Sequence, residues 1–144
     1  MSLITTLENR LIDNYKKDYY LHLTLEKFLV EKHFNWLKIE LKGKALFGNG
    51  ILQIANKSYS IELIYSPFLP NRFDRIYIKD KSISYNRNIH LYRDLSLCLY
   101  HPVIDKPLFK IIPLYQMIPW ISEWCVFYEE WKKYGIWLGK EIQH

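Results

Sequence analysis

The chain has 144 residues, of which 49% are hydrophobic and 17% aromatic. This length and composition predict one folded domain and exclude an intrinsically disordered chain. The net charge of +5 comes from Lys and Arg residues scattered along the sequence, so it only weakly favours a nucleic-acid-binding protein. Residues 1–17 carry charges every few positions. We therefore expect no secretory signal and no membrane span, and we predict a cytoplasmic protein.

Two helices are predicted at the start of the chain. In the first, expected at about residues 5–17, Thr5 and Glu8 have the spacing of a capping box. Apolar residues recur there every four positions, at Leu3, Leu7, Leu11 and Tyr15. Thr24 is a candidate N-cap for the second helix, which is expected to run to about residue 33. The side of that helix predicted to be buried carries Leu25, Phe28, Leu29 and Phe34.

An antiparallel meander of strands is expected after the helices. Residues 36–44 alternate apolar and charged side chains, as a half-exposed strand does. Gly48-Asn49-Gly50 is expected to interrupt the next apolar run, and Asn56-Lys57 lies near a predicted hairpin turn. The predicted strands are residues 36–44, 51–55, 59–65 and 75–78.

The second half of the chain is predicted to be irregular until a last helix. Two prolines in residues 65–70 (YSPFLP) end the meander, and residues 79–94 are polar and irregular. They lead into an apolar stretch that contains Cys98. A helix with an aromatic stripe is expected from Pro119 to Gly135. This order of elements predicts an α+β fold rather than repeated βαβ units.

The order of these pieces resembles the ubiquitin-conjugating (UBC) fold. The features that carry the resemblance are YSPFLP at residues 65–70, His90, and Leu97-Cys98-Leu99 before a Trp-rich last helix. The chain looks like the compact bacterial members encoded in CBASS antiphage operons beside a cGAS-like nucleotidyltransferase, over about residues 24–144. The resemblance implies one UBC-like domain over residues 1–144. Its four-stranded antiparallel meander would pack on helices beside a long irregular active-site segment, with an extra N-terminal helix.

The resemblance also implies a reaction. Cys98 would form a thioester with a ubiquitin-like or partner-protein C-terminus and pass the acyl group to an amine, in antiphage defence. The implied partner is the cGAS-like nucleotidyltransferase. Its C-terminus would have to be activated elsewhere, because the chain has no P-loop glycine pattern. No cofactor and no metal are expected, since Cys98 and Cys125 lack the spacing of a zinc site.

Several residues near the cysteine are candidates for supporting roles. The family's His-Pro-Asn triplet is His90-Leu91-Tyr92 here, so the Asn usually credited with steadying the oxyanion is missing. The candidates are His90 and His101 for stabilising the thiolate, Asp94 and Asp105 for orienting the amine, and Tyr92 or His90 for the oxyanion.

Purely structural interpretations stand beside these hypotheses. A cysteine between leucines is commonly a small buried hydrophobe, and Cys125 in the aromatic helix is predicted to be one. His90 and His101 would alone be loop or turn residues, and the Trp stripe has the spacing of a helix core. For the whole protein, the alternatives are a catalytically inactive UBC-like binding module and a basic nucleic-acid-binding domain.

Overall fold

The computed structural model describes residues 3–100 and 111–138. In chain order the elements are α1 (Leu3–Lys17), α2 (Tyr19–His33), β1 (Leu37–Lys42), β2 (Ala45–Ile54), β3 (Lys57–Tyr65), β4 (Asp74–Ile78), a 3-10 turn (Arg87–Ile89) and α3 (Leu114–Tyr134). The strands form one antiparallel sheet in the order β1-β2-β3-β4. This is the predicted α+β arrangement, and it is consistent with a UBC-like fold. No helix in the described ranges is long and apolar enough to cross a membrane.

The sheet buries one face against α2 and α3. Alternate residues of each strand point inward, and β3 contributes the longest inward row, Tyr59, Ile61, Leu63 and Tyr65. The facing side of α3 is buried over most of its length, at Leu114, Met117, Ile118, Ile121, Trp124, Cys125 and Tyr128. Each fully buried large apolar side chain stabilises the fold by roughly 1.5–3 kcal/mol. The aromatic helix is therefore part of the core, as its spacing predicts.

The glycines of β2 do not interrupt the strand, so that part of the prediction was wrong. A Cβ on Gly48 would lie 2.7 Å from Ile39 Cδ1, and one on Gly50 would lie 2.0 Å from the carbonyl oxygen of Trp36. Gly50 is needed because the backbone of Trp36 lies against it. Gly48 leaves room for the side chains of Ile39 and Leu63. The following hairpin turn is formed by Ala55 and Asn56, since Ile54 pairs with Lys57. It lies one residue earlier than expected.

All three helices begin before their predicted starts. The capping-box residue Thr5 lies inside α1, and Thr24 lies inside α2, which begins after Asp18. The last helix begins after Pro113 and contains Pro119, which is exposed and cannot donate the backbone hydrogen bond of a regular helix at that position. Its predicted end is confirmed, because Gly135 adopts a left-handed conformation (φ 72°) and its N–H binds the carbonyl of Trp131 at 2.8 Å.

The buried side of α2 also differs from the prediction. Leu25 and Phe28 are 54% and 59% exposed, whereas Leu23 and Val30 are fully buried. Apolar residues lie on both sides of this helix, so periodicity alone does not identify the side that faces the core. Glu26 marks the correct side, since its carboxylate accepts a hydrogen bond of 2.9 Å from the backbone N–H of Tyr115 at the start of α3.

Glu129 connects α3 to the β2–β3 hairpin. Its carboxylate accepts a hydrogen bond of 2.5 Å from the hydroxyl of Tyr59, and it forms ion pairs with Lys57 at 2.9 Å and Lys132 at 3.0 Å. Burial acts to raise the pKa of Glu129, but these three donors outweigh it and lower that pKa to about 2.

Replacing Glu129 by Gln is expected to lower the free energy of unfolding at neutral pH by about 1–2 kcal/mol. The folded-state pKa lies below the ordinary value of 4.5, so this contribution is complete above that pH and is lost as the pH falls towards 2. Urea denaturation of wild type and Glu129→Gln at neutral pH and at about pH 3 measures the difference. The exposed Glu123→Gln on the same helix is the control, and a difference that does not change with pH would contradict the assignment.

Candidate active site around Cys98

Cys98 ends a short hairpin formed by residues 90–98 beside β4. Leu91 and Leu97 form an antiparallel bridge, and the N–H of Cys98 donates to the carbonyl of His90 at 3.0 Å. The N–H of Leu97 donates to the carbonyl of Ile76 at 2.8 Å, which attaches the returning arm to β4. The cysteine is therefore held by backbone hydrogen bonds rather than on a free loop.

The turn of this hairpin is closed by both backbone and side chains. The N–H of Tyr92 binds the carbonyl of Ser96 at 2.9 Å, and Leu95 adopts a left-handed conformation with φ 72°. Asp94 accepts hydrogen bonds from Ser96, from its N–H at 2.9 Å and from its hydroxyl at 2.6 Å. A turn that satisfies its own polar groups in this way keeps a defined shape.

The Cys98 thiol is buried, with 2% of the residue exposed. It donates a weak hydrogen bond to the carbonyl of Tyr100 at 3.4 Å. Burial raises the pKa of the thiol to about 11, although a hydrogen bond with Tyr92 and the positive charge of Arg72 act to lower it. At neutral pH about one thiol in ten thousand is then ionised. In this conformation the thiol is shielded from solvent and protonated.

A buried charged pair lies against the hairpin. The guanidinium carbon of Arg72 is 3.4 Å from the centre of the Tyr92 ring, and its Nε is 3.7 Å from Asp74 Oδ2. The other oxygen of Asp74 accepts a 3.0 Å hydrogen bond from the hydroxyl of Tyr100. Burial raises the pKa of Asp74, and Arg72 and Tyr100 oppose that rise.

The same arginine also reaches the turn. Arg72 donates a hydrogen bond to the hydroxyl of Ser96 and lies 3.9 Å from Asp94 Oδ1, while Arg75 Nε lies 3.9 Å from Asp94 Oδ2. Burial acts to raise the pKa of Asp94, but the Ser96 hydrogen bonds and Arg72 outweigh it, so the pKa is lowered. Asp94 is thus a half-exposed, ionised carboxylate beside two arginines.

Three of the predicted supporting residues share the hairpin with Cys98. Tyr92 hydrogen-bonds the thiol. His90 contacts the cysteine through its carbonyl, while its imidazole packs against Trp137 with ring centres 4.9 Å apart. Asp94 faces the arginines and Ser96, as described above. His101 and Asp105 lie outside the described residues.

Sequence reasoning missed three residues that lie around the hairpin of Cys98, namely Arg72, Asp74 and Tyr100. The available signal was the alternation along β4, because Asp74 falls on the same inward face as Ile76. A carboxylate at an inward position of a strand requires a buried partner, and two arginines flank it in the sequence.

The second cysteine lies in a different environment. Cys125 is fully buried in α3, and its pKa is raised to about 12, first by burial and then by the negative charge of Glu129. Among the described residues, no group acts to lower that pKa. Cys125 is a core thiol, as its position in the aromatic helix predicts, and it is the natural control for Cys98.

Alkylation of the native protein with iodoacetamide is expected to follow these pKa values. The rate at Cys98 should rise by about tenfold for each pH unit between neutral pH and about pH 10, because only the thiolate reacts. Peptide mass spectrometry separates Cys98 from Cys125, which should react more slowly because it lies in the core of α3. A rate at Cys98 that levels off below about pH 9, as for a free thiol, would contradict the closed site.

Arg72→Met is expected to lower the free energy of unfolding by about 3 kcal/mol, because it leaves the Asp74 carboxylate buried without its cation. Adding Asp74→Asn removes that uncompensated charge and should recover part of the loss. A double-mutant cycle by urea denaturation measures the coupling. The exposed Arg87→Met is the control, and simple addition of the two single losses would show that the pair is not coupled.

The comparison with known proteins agrees with this geometry. Residues 26–144 match the family described as "Type II CBASS E2 protein". No curated protein and no solved structure matches the chain significantly. The matched range contains the sheet, α3, the hairpin of Cys98 and the Arg72–Asp74 pair, and it excludes α1. The chain therefore belongs to the Type II CBASS E2 family, which implies an E2-like role in CBASS defence.

Proposed function

We propose that the protein is a cysteine acyltransferase of the ubiquitin-conjugating type, with Cys98 as its nucleophile. The observation that carries the proposal is the contrast between the two described thiols. Burial raises the pKa of both thiols, but Cys98 is hydrogen-bonded by Tyr92, whose ring centre lies 3.4 Å from the guanidinium carbon of Arg72, whereas Cys125 lies in the core of α3. Family membership supports the reaction type. The proposed site of action is the cytoplasm, where thiols stay reduced.

The proposed acyl donor is the C-terminus of a cGAS-like nucleotidyltransferase, supplied as a thioester or acyl adenylate. The Cys98 thiolate attacks the acyl carbon, a new C–S bond forms, and the bond to the leaving thiolate or AMP breaks. The proton of the Cys98 thiol passes to solvent or to the leaving thiolate. An amine then attacks the thioester, a C–N bond forms, and Cys98 leaves and takes up a proton. Thioester exchange is nearly balanced in energy, so it needs no further driving force, although only the thiolate attacks.

Tyr92 is the proposed oxyanion donor in place of the missing Asn. Its hydroxyl already hydrogen-bonds the sulfur, which is the atom beside which the oxyanion develops. Asp94 is the proposed group that orients the amine, because it is ionised and about half of its side chain is exposed. The roles of His90, His101 and Asp105 remain proposals from the family resemblance.

The buried thiol places one requirement on this mechanism. Cys98 is 2% exposed, so an acyl carbon reaches the sulfur only after a local movement that exposes it. The hairpin is attached to the sheet by the backbone hydrogen bond to Ile76 and by side-chain contacts of its turn, and its Leu91 and Leu97 are buried in the core. Opening the hairpin therefore costs free energy. Binding of the donor is the proposed source of that free energy.

A second candidate is a catalytically inactive UBC-like binding module. The burial of Cys98 and the raised pKa of its thiol favour this function, together with Tyr92 at the position of the usual Asn. It differs from the first proposal in an observable way, because a binding module holds its partner without any covalent bond.

The deciding experiment supplies the nucleotidyltransferase with a chemically prepared C-terminal thioester. Wild type and Cys125→Ala are expected to form an adduct that thiol reductants remove, and Cys98→Ala is expected to form none. Non-reducing gels and intact mass spectrometry measure the adduct. An adduct in Cys98→Ala would refute the assignment of the nucleophile. Stable association without an adduct in wild type would instead support the binding module.

A further inference from the structure

A cleft of about 470 Å³ lies between α1 and the loop that joins β3 to β4. Its first wall is the side of α1 that carries Asn9, Ile12, Asp13 and Lys16. Its second wall is residues 67–73, which include two prolines and two phenylalanines. The volume falls within the range of about 300–1,000 Å³ that is typical of ligand sites.

The walls are held in place by aromatic contacts. The ring of Tyr15 stacks on His22 at 4.4 Å and meets the ring of Phe73 edge to face at 5.3 Å. Tyr19 contacts Phe68 in the same manner at 5.7 Å. Because these contacts join α1, the start of α2 and the loop, the cleft is a built feature of the fold.

Arg72 connects this cleft to the candidate nucleophile. It lines the cleft, and its guanidinium also stacks on Tyr92, which hydrogen-bonds the Cys98 thiol. The buried Nε of Arg72 and Oδ2 of Asp74 have no hydrogen-bond partner among the described residues. These two atoms face each other at 3.7 Å, and the guanidinium that also lines the cleft is a group suited to a carboxylate or an acyl oxygen.

We propose that the cleft binds the C-terminal segment of the acyl donor and that Arg72 contacts the carboxyl end of that segment. This inference rests on the proposed function and names its donor site. An extended peptide fits an open cleft with a proline-rich wall. Lys16 and Arg72 complement a carboxylate or the acyl oxygen, and Asp13 is the one acidic residue in the lining. The occupant is therefore a peptide that enters with its C-terminus directed towards Arg72 and Cys98.

The helix α1 forms one wall of the cleft and is not part of the family match. Residues 26–144 match the family, so the wall formed by α1 lies outside the matched range. The hairpin of Cys98 and Arg72 both lie inside the matched range. The cleft thus has one wall inside the range that matches the family and one wall, α1, outside it. We expect the cleft to select the donor without taking part in the chemistry.

Two substitutions on α1 test this by filling the cleft. Asn9→Trp and Asp13→Trp place a large side chain at exposed positions of the lining, and Asn14→Trp places one at an exposed position of the same helix outside the lining. Each variant is assayed for adduct formation at Cys98 with two thioesters. The first carries the last ten or so residues of the nucleotidyltransferase, and the second carries only an acetyl group, which does not reach the cleft.

Wild type is expected to prefer the peptide thioester, and both cleft variants should lose about tenfold or more of kcat/KM for it while reacting normally with the acetyl thioester. Asn14→Trp should behave as wild type. Equal rates for wild type and both cleft variants with the peptide thioester, or an equal loss in Asn14→Trp, would overturn the inference.

Binding of a labelled donor peptide separates this inference from the proposed function. Fluorescence anisotropy should show weaker binding to both cleft variants than to wild type, and weaker binding of the C-terminal amide than of the free carboxylate. This result would uphold the cleft even if Cys98 formed no thioester. Equal binding to wild type and both cleft variants would reject it even if Cys98 were the nucleophile.

Discussion

The ion pair between Arg72 and Asp74 determines how the chain is arranged around Cys98. Asp74 is 1% exposed, and a carboxylate buried to that extent is costly unless a cation and hydrogen bonds accompany it. Arg72 supplies the charge and also stacks on Tyr92 before the cysteine, while Tyr100 after the cysteine donates to Asp74. One pair at the start of β4 therefore holds the chain on both sides of the thiol.

This arrangement makes the resting site stable rather than reactive. Desolvation outweighs the nearby positive charge, which is why the pKa of Cys98 lies near 11 rather than below its ordinary value. A protonated, buried thiol resists oxidation and stray electrophiles. Under the proposed function, an activated donor carries the chemical driving force, so the protein needs to expose the sulfur and position an acyl group rather than store a thiolate.

Regular patterns made most of the fold predictable, and the failures have physical causes. Period-two alternation gave strand β1, the turn residues near Asn56-Lys57 gave the hairpin that leads into β3, and the glycine after Tyr134 gave the end of α3. The glycines of β2 were misread because their function depends on Trp36 and Ile39, which approach from another strand and its lead-in. The buried side of α2 was misread because the choice between two apolar sides is made by tertiary packing, not by the helix itself.

The site was only partly predictable for a related reason. Cys98 followed from the order of motifs along the chain, but Arg72 and Asp74 acquire their importance from burial against a distant hairpin, which no local pattern encodes. Their position also links the two proposed sites. Arg72 lines the cleft and also donates a hydrogen bond to the Ser96 hydroxyl in the turn, so one guanidinium contacts both sites. Under the two proposals, the residue that contacts the carboxyl end of the donor is therefore also one that holds the turn beside Cys98.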